Sequence, residues 1–380
     1  MKHITIVAGA RPNFVKVAPL IRAIQKTDGA SYLLVYAGRE DDPTLEASIF
    51  DDLQMPRPDV YLGVDSTSLN EITSRVMAEF DALLDQHPTD IVIVVDDLAS
   101  TMAAAIVTKK RGLKLAHLVA GTRSFDMNMP KEVNRLVIDT LSDYLFTAGV
   151  KSNSVATREQ SEGAGTYMVG NILMDTLRFN HQRLKAPSCI PSLREVAAPN
   201  ASVEDVSPYL VFTLNRKALL TDKEKLRQLL EAMIQAADGT PIIAPLRGLA
   251  REVIDHLLLT IDHYSFPDRA ANVQCSLFNV QCSMSYLEFG WLTAHAKGII
   301  TDSGNVAEEA TFNGVPCITL NSYTEHQETV SVGSNVLVGE DPQRLADAVS
   351  KMVKGEWKQC ALPDRWDGRT AERIVQILMQ

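Results

Sequence analysis

Short apolar runs alternate with longer amphipathic segments along nearly the whole chain, and this alternation restricts the possible folds more than any other feature. The short runs fit buried strands of a parallel sheet, and the longer segments have the spacing of helices that cover such a sheet. This order predicts βαβ units, and 380 residues exceed what one hydrophobic core usually holds. We therefore predict an α/β protein with two Rossmann-like, doubly wound domains that face a cleft.

The predicted strands and helices follow the chain in this alternating order. The strands of the first half are Ile4–Ala8, Tyr32–Tyr36, Ile91–Val95, Leu115–Val119, Tyr144–Thr147 and Tyr167–Val169. The clearest helices are Asn13–Lys26, Leu69–Gln86, Ser100–Arg111 and Lys131–Leu141. The strands of the second half are Tyr209–Leu214, Pro241–Ala244, Gly298–Thr301, Pro316–Leu320 and Asn335–Val338.

A stretch of different composition joins the two halves. From Phe179 to Ser207, prolines and polar residues occur without a clear period, which predicts a connection with an irregular surface. We place the N-terminal domain at residues 1–175 and the C-terminal domain at residues 176–364. The last segment, residues 365–380, contains a short amphipathic helix that we expect to pack back on the N-terminal domain.

The net charge and the cysteine content indicate which partners the protein can bind and in which cellular compartment it is found. A net charge of -10 at pH 7 argues against nucleic acid or an anionic membrane surface as a partner. The apolar run Ile4–Ala10 is too short for a signal peptide, and no segment is apolar for long enough to span a bilayer. The odd number of cysteines without a C-x-x-C pair favours free thiols in a reducing compartment, so we expect a cytoplasmic protein. These cysteines are Cys189, Cys275, Cys282, Cys317 and Cys360.

The spacing of Cys275 and Cys282 matches no zinc-binding pattern, and we expect neither a metal nor a cofactor.

In open parallel sheets, ligands bind beyond the carboxyl ends of the strands, which selects the residues that directly follow each predicted strand. Many of these residues are charged, and this suits a ligand with two negative charges. They include Arg11, Lys16, Arg39, Glu40, Asp96, Asp97, Arg216, Arg247, Ser303 and Gly304.

The segment from Thr301 to Glu309 is the strongest local motif. A strand runs into Ser303 and Gly304, where a helix begins, and free N–H groups at a helix start suit a phosphate. Glu309 follows one turn later and is placed to accept hydrogen bonds from ribose hydroxyls. The alternative is ordinary helix capping, in which Asn305 is the capping residue.

Arg11 and Lys16 follow the first strand and lie on either side of a predicted helix start. Two cations on successive turns suit a diphosphate or a uracil carbonyl. The alternative is a solvated helix start, but positive charge is mildly unfavourable at a helix N-terminus. This conflict favours a role in binding.

The order of the motifs resembles that of the non-hydrolysing UDP-N-acetylglucosamine 2-epimerases, which have the glycosyltransferase-B architecture. The resemblance implies a homodimer that binds UDP or a UDP-sugar, with the sugar at the N-terminal domain and the nucleotide at the C-terminal domain. It also implies nucleotide contacts from Arg216, besides those assigned to the residues above. The matching motifs are Gly9–Pro19, Ser124–Asp126, Pro130–Arg135, Val169–Asn171, Thr301–Gly304, Glu308–Phe312, Gly314–Cys317, Thr324–Glu325, Trp366–Gly368 and Ala371–Arg373.

The resemblance implies a two-step reaction in which UDP is eliminated to give a glycal and is added back after reprotonation at C2 of the sugar. Such chemistry needs acid and base groups on both sides of the carbon. At three positions where the family has catalytic groups, this chain has Val119, Lys131 and Asn215. The family's aspartate is kept as Asp97, although the glycine before it has become Asp96.

Valine and asparagine cannot move a proton near neutral pH, so the remaining catalytic candidates are Asp97, Lys131 and Glu132. Three interpretations stay open. The chain is an enzyme with altered chemistry on a UDP-sugar (hydrolysis, elimination or glycosyl transfer), or an inactive UDP-sugar sensor or regulatory partner of a competent relative. The third is a UDP-N-acetylglucosamine 2-epimerase with relocated catalytic groups.

Overall fold

The computed structural model describes residues 1–188, 208–264, 278–281 and 284–380. The chain divides into two compact units, of which unit 1 comprises Met1–His181 with Pro363–Gln380 and unit 2 comprises Gln182–Leu362. Each unit contains one parallel sheet with helices, so the predicted α/β class with two parallel sheets is confirmed. The predictions for Cys189, Cys275, Cys282 and residues 189–207 of the connection lie outside the described residues.

Unit 1 contains a seven-stranded parallel sheet. Its strands are β1 (Lys2–Ala8), β2 (Ala30–Tyr36), β3 (Val60–Tyr61), β4 (Ile91–Val95), β5 (Lys114–Leu118), β6 (Tyr144–Thr147) and β7 (Gly165–Met168). They pair in the order β3-β2-β1-β4-β5-β6-β7. Because the strand order changes direction between β1 and β4, which pair in parallel, the carboxyl ends of these two strands are neighbours.

The helices of unit 1 cover this sheet with apolar faces. Val76, Phe80, Leu83 and Leu84 form the buried stripe of one of them, at the spacing of a surface helix. In order along the chain they are α1 (Asn13–Gln25), α2 (Ala47–Leu53), α3 (Leu69–Gln86), α4 (Ala99–Lys110), α5 (Pro130–Leu141), α6 (Val150–Glu159) and α7 (Leu173–Asn180). A 3-10 turn, His181–Arg183, follows α7.

Unit 2 contains a six-stranded parallel sheet in the order β10-β9-β8-β11-β12-β13. Its strands are β8 (Leu210–Phe212), β9 (Ile242–Pro245), β10 (Phe278–Gln281), β11 (Gly298–Thr301), β12 (Cys317–Thr319) and β13 (Asn335–Leu337). The order changes direction between β8 and β11, which also pair in parallel. The residues that follow these two strands are therefore neighbours, as in unit 1.

The helices of unit 2 are α8 (Lys217–Thr221), α9 (Lys223–Ala236), α10 (Gly248–Tyr264), α11 (Tyr286–Ala294), α12 (Gly304–Asn313), α13 (Glu328–Ser331) and α14 (Pro342–Lys354). Leu226, Leu229, Leu230 and Met233 form the buried face of α9. Within the described ranges, no helix has the length and apolar character needed to cross a membrane.

The last helix, α15 (Thr370–Met379), belongs to unit 1 and packs against α1. Its start is held by the buried Asp175, which accepts hydrogen bonds from the backbone N–H groups of Thr370 (3.0 Å) and Ala371 (2.8 Å). Burial raises the pKa of Asp175 to about 6. Free N–H groups at a helix start are thereby satisfied by a side chain from α7.

Candidate functional site

The turn between β1 and α1 is shaped by one side chain. Oδ1 of Asn13 accepts hydrogen bonds from the backbone N–H groups of Gly9 (2.8 Å) and Ala10 (3.0 Å). This turn carries Arg11, whose buried Nε has no hydrogen-bond partner among the described residues. A buried donor without a partner costs free energy unless a ligand or water accepts its hydrogen. The role of Arg11 in ligand binding stays a prediction, for which this donor is a suitable group.

Asp96 follows β4 and meets this turn at the carboxyl edge of the sheet. Its Oδ1 lies 2.5 Å from Nζ of the buried Lys16, and its Oδ2 accepts a hydrogen bond from Nδ2 of Asn13 (2.7 Å). Asp96 has a φ of 61°, a left-handed conformation that Asp tolerates better than most residues. Lys16 thus forms an ion pair inside unit 1.

Asp97 takes part in a buried network of charges. Nε and Nη2 of Arg135 donate to Oδ2 of Asp97 at 2.7 and 2.6 Å, and Nζ of Lys131 lies 3.5 Å from Oδ1. Burial acts against the charged form, but the positive charges of Lys131 and Arg135 prevail and lower the pKa of Asp97. Asp97 is therefore a carboxylate near neutral pH.

Glu132 lies on the other side of Arg135. It accepts hydrogen bonds from the backbone N–H (2.8 Å) and Oγ (2.8 Å) of Ser124, from the N–H of Phe125 (3.1 Å) and from Nη1 of Arg135 (3.1 Å). Burial opposes ionisation, yet these hydrogen bonds lower the pKa of Glu132. Both carboxylate oxygens are occupied, so Glu132 fits an anchor for the segment before α5 better than an acid–base group.

Val119 directly follows β5, at the same edge of the sheet as Asp96. Its φ of 74° is exceptional for a β-branched residue and costs roughly 1–3 kcal/mol. Gly121 nearby has a φ of 76°, and a Cβ there would lie 2.1 Å from the backbone oxygen of Ser152. The backbone of this turn is thus strained and tightly packed, while the side chain of Val119 offers no group that titrates.

A second buried network lies behind this edge and was not predicted from the sequence. Nδ1 of His117 lies 2.5 Å from Asp139 Oδ1, and Nη1 of Arg123 lies 2.7 Å from Asp139 Oδ2. Burial acts against the charge, but His117 and Arg123 lower the pKa of Asp139. Nε2 of His117 donates to the carbonyl of Asp96 (3.0 Å). The network therefore holds the backbone that positions Asp96. A histidine inside an otherwise apolar strand was the available sequence signal.

In unit 2, β11 leads through Ser303 into α12. Ser303 is the capping residue of this helix, but its side chain makes no capping hydrogen bond. Asn305 lies inside the helix, so the alternative in which Asn305 caps it is wrong. A Cβ added at Gly304 would meet no atom within 4 Å, which leaves open space at the helix start. These features suit an anion at the N–H groups of the first turn.

Glu309 lies one turn further along α12 and is 7% exposed. Its carboxyl group makes no hydrogen bond or ion pair with the described residues, and its oxygen atoms are not fully enclosed, so a ligand can reach them. Burial, followed by the negative charge of Glu308, raises the pKa of Glu309 from 4.5 to about 8. Glu308 itself has a partner, because Nδ1 of His326 lies 3.2 Å from its Oε1. Glu309 is thus a buried carboxyl group that gains from any ligand with hydroxyl donors.

The turn after β8 is attached to the turn after β11. Oδ2 of Asp302 accepts hydrogen bonds from the backbone N–H groups of Asn215 (2.8 Å) and Arg216 (2.6 Å). The Arg216 side chain donates to Oδ1 of Asn321 (2.8 Å) and forms an ion pair with Glu340. Asn215 is exposed and has no group that titrates near neutral pH.

The predicted site residues therefore form two groups, one in each unit. The carboxyl edge of the unit 1 sheet carries Arg11, Lys16, Asp97, Val119, Lys131 and Glu132. The corresponding edge of unit 2 carries Asn215, Arg216, Ser303, Gly304 and Glu309. Among the described residues, no group of three or more His, Cys, Asp or Glu side chains is arranged to hold a metal ion.

Comparisons with known proteins show the family to which the chain belongs. A sequence model of the family described as UDP-N-acetylglucosamine 2-epimerase matches residues 22–379. The UDP-N-acetylglucosamine 2-epimerase of Methanocaldococcus jannaschii is 32% identical over 379 residues, which are 99% of this chain and 98% of that protein. A Pseudomonas aeruginosa protein named UDP-2,3-diacetamido-2,3-dideoxy-D-glucuronate 2-epimerase is 31% identical over 342 residues, 89% of this chain and 88% of that protein.

The crystal structure of the M. jannaschii enzyme in complex with UDP-GlcNAc and UDP superposes with a TM-score of 0.80, at 29% identity and 99% coverage of both chains. Two parallel sheets with this similarity define an α/β protein of the glycosyltransferase-B type. The chain belongs to the UDP-N-acetylglucosamine 2-epimerase family. The resemblance drawn from the sequence motifs is thereby confirmed.

Proposed function

We propose that this chain binds UDP or a UDP-sugar and does not perform the epimerisation of its relatives by their usual acid–base groups. The observation that carries the binding proposal is Glu309, a buried carboxyl group without a partner in the described chain, beside a helix start without a side-chain cap. A nucleoside diphosphate supplies both missing partners. Its phosphates fit the N–H groups at Ser303 and Gly304, and its ribose hydroxyls fit Glu309.

Replacing Glu309 with glutamine is expected to weaken UDP binding about tenfold or more above pH 8, because the native carboxyl group is then ionised and a hydrogen bond to a charged group contributes about 1.5–3 kcal/mol. The loss should grow as the pH rises toward 8, where the native carboxyl group ionises. Isothermal titration calorimetry with UDP at several pH values measures both effects. Glu224→Gln, which removes an exposed carboxylate of the same unit, is the matched control.

Glu309→Gln should weaken UDP binding but make the protein without ligand more stable at high pH. The folded-state pKa of Glu309 is raised, so the native carboxyl group favours folding at low pH and loses this contribution as the pH rises through about 8. Glu309→Gln should therefore denature at a higher temperature than the native protein above pH 8. Unchanged UDP affinity in the variant, or no thermal shift of the native protein by millimolar UDP, would contradict the binding proposal.

The proposal for altered chemistry rests on the groups left at the edge of unit 1. Val119 has no proton to transfer, Glu132 is fully hydrogen-bonded, and Asp97 is a carboxylate held by Arg135. Lys131 is 56% exposed, so a ligand can reach its ammonium group. Asp97 and Lys131 are thus the groups that we propose to act in hydrolysis, elimination or glycosyl transfer.

Incubation of the native protein with UDP-GlcNAc in deuterated water is expected to give no deuterium at C2 of the sugar. Proton NMR of the recovered nucleotide sugar measures this exchange, with a relative that epimerises as the positive control. Release of free UDP without exchange supports hydrolysis or transfer. Ready exchange would overturn the altered chemistry and favour an epimerase with relocated groups.

A second candidate function is a sensor or regulatory partner that binds a UDP-sugar without turning it over. It is favoured by the ion pairs of Asp97 with Arg135 and Lys131, which keep its carboxylate charged and occupied. Tight binding with neither exchange nor UDP release distinguishes this candidate from an enzyme. We also propose a cytoplasmic homodimer, as in the family resemblance; light scattering tests the dimer.

A further inference from the structure

A carboxylate of the chain itself occupies the place where Lys16 would bind an anion. We propose that Asp96 is a specificity-determining residue, whose carboxylate must be displaced before an anionic oxygen of a ligand can bind Lys16. This inference rests on the proposed binding of UDP or a UDP-sugar. An anionic oxygen is thus the ligand group that unit 1 selects against.

The first step of the argument is the burial of Lys16. The residue is 7% exposed, and a buried ammonium group is stable only with a partner of opposite charge. Oδ1 of Asp96 lies 2.5 Å from its Nζ. The positive charge of Lys16 is therefore compensated before any ligand arrives.

The second step is that Asp96 is held in this position from several sides. Nδ2 of Asn13 donates to its Oδ2, Nε2 of His117 donates to its carbonyl, and its own N–H donates to the carbonyl of Leu118 (3.3 Å). Its left-handed backbone turns the side chain toward α1. The carboxylate lies at the start of α1, where the helix dipole also favours a negative charge.

The third step is access. The side chain of Asp96 is 19% exposed, whereas that of Lys16 is 9% exposed, so a ligand at this edge meets the carboxylate before the ammonium group. A neutral hydroxyl or amide of a ligand can donate to Asp96 and leave the ion pair intact. An anionic oxygen is repelled by Asp96. It can bind Lys16 only after the ion pair between Asp96 and Lys16 has opened.

Two parts of a nucleotide sugar can supply such an anionic oxygen, the diphosphate and a carboxylate on the sugar. UDP, UDP-glucose and UDP-glucuronate separate these sources, because the last two differ by one carboxylate. Calorimetry with all three ligands on the native protein and on Asp96→Asn is the experiment. Asparagine keeps the size, the contact with Asn13 and the tolerance for a left-handed backbone.

We expect Asp96→Asn to raise the affinity for the ligand whose anionic oxygen meets Lys16 by about tenfold. A gain confined to UDP-glucuronate identifies the sugar carboxylate as the excluded group. An equal gain for all three ligands identifies the diphosphate. Asp85→Asn, which removes an exposed carboxylate on α3 of the same unit, should change none of the affinities.

A double-mutant cycle shows whether the effect acts through Lys16. In a Lys16→Met background, Asp96→Asn should give a clearly smaller gain, because it then only removes the repulsion by Asp96 and releases no cation for the ligand. If Asp96→Asn fails to fold, Asp96→Gly is the second variant, since glycine suits a φ of 61°.

The outcomes separate this proposal from the function on which it rests. UDP binding by the native protein without any gain in either Asp96 variant overturns the role of Asp96 and leaves the proposed function intact. A gain of the same size in the Lys16→Met background also overturns it. If neither the native protein nor the variants bind any of the three ligands, both proposals fail.

Discussion

Replacing Arg135 with methionine is expected to lower the free energy of unfolding by about 3–5 kcal/mol, more than any other single change considered for unit 1. The guanidinium group is 3% exposed and joins the carboxylates of Asp97 and Glu132, both of which are also largely buried. Methionine fills a similar volume, so the loss reflects two buried carboxylates without their shared cation. Urea denaturation followed by circular dichroism measures the change.

Arg111→Met is the matched control for this prediction. Arg111 also joins two aspartates, with Nε 2.5 Å from Asp81 and Nη1 2.8 Å from Asp85, but both aspartates are exposed. Water screens such pairs, so the control should cost less than about 1 kcal/mol. Similar losses of unfolding free energy in the two variants would mean that burial does not strengthen the contribution of the Arg135 ion pairs to stability.

The pH dependence of stability is a second, independent test of the charge network of Asp97, Glu132 and Arg135. In the native protein the pKa values of Asp97 and Glu132 are lowered, so their contribution to stability is present above their ordinary pKa values and is lost at lower pH. Without Arg135, both pKa values should rise from their lowered values, while Lys131 still favours the charged form of Asp97 and the hydrogen bonds from Ser124 and Phe125 still favour that of Glu132. The variant should then lose less stability than the native protein when the pH falls below the ordinary pKa values of Asp and Glu.

The strands that are buried on both faces were predictable from the sequence. β4 is an unbroken apolar run, and each predicted strand overlaps a strand of the structure. The short strand β3 (Val60–Tyr61) was missed because two half-buried residues give no period. The helix α2 (Ala47–Leu53) was missed for a related reason, since it has only seven residues and its side-chain pattern is too short to identify.

The positions of the site residues at the strand ends were also predictable, because parallel strands place their carboxyl ends at one edge. The partners of those residues were not. Asp96 and Asp97 are adjacent in the sequence, yet Asp96 pairs with Lys16 and Asp97 with Arg135. The left-handed backbone of Asp96 directs its side chain away from that of Asp97. No sequence pattern predicts this conformation at an aspartate.

Val119 combines a strained backbone with a side chain that cannot transfer a proton. A left-handed φ at a valine costs roughly 1–3 kcal/mol. The strained turn persists although the residue that we expect in a competent relative, a glutamate, is absent.

The combined variant Val119→Glu, Lys131→Glu and Asn215→His is therefore expected to gain exchange at C2 of UDP-GlcNAc that the native protein lacks. The strained turn at Val119 already presents its side chain at the edge that carries Asp97, and Asn215 is exposed on the turn after β8. A glutamate at position 131 would lie near Asp97, and two neighbouring carboxylates raise each other's pKa toward the range that suits proton transfer. Deuterium incorporation measured by proton NMR detects the gain.

Each single replacement should give no measurable exchange, because acid and base groups that act as a unit contribute in a strongly non-additive way. Val119→Glu alone should also destabilise unit 1, since it places a carboxylate without a cation in a half-buried position. The combined variant is therefore first tested for folding by circular dichroism and for UDP binding by calorimetry. A folded, UDP-binding variant without exchange would show that these three positions do not account for the lost chemistry, and attention would move to Asp96 and its ion pair with Lys16.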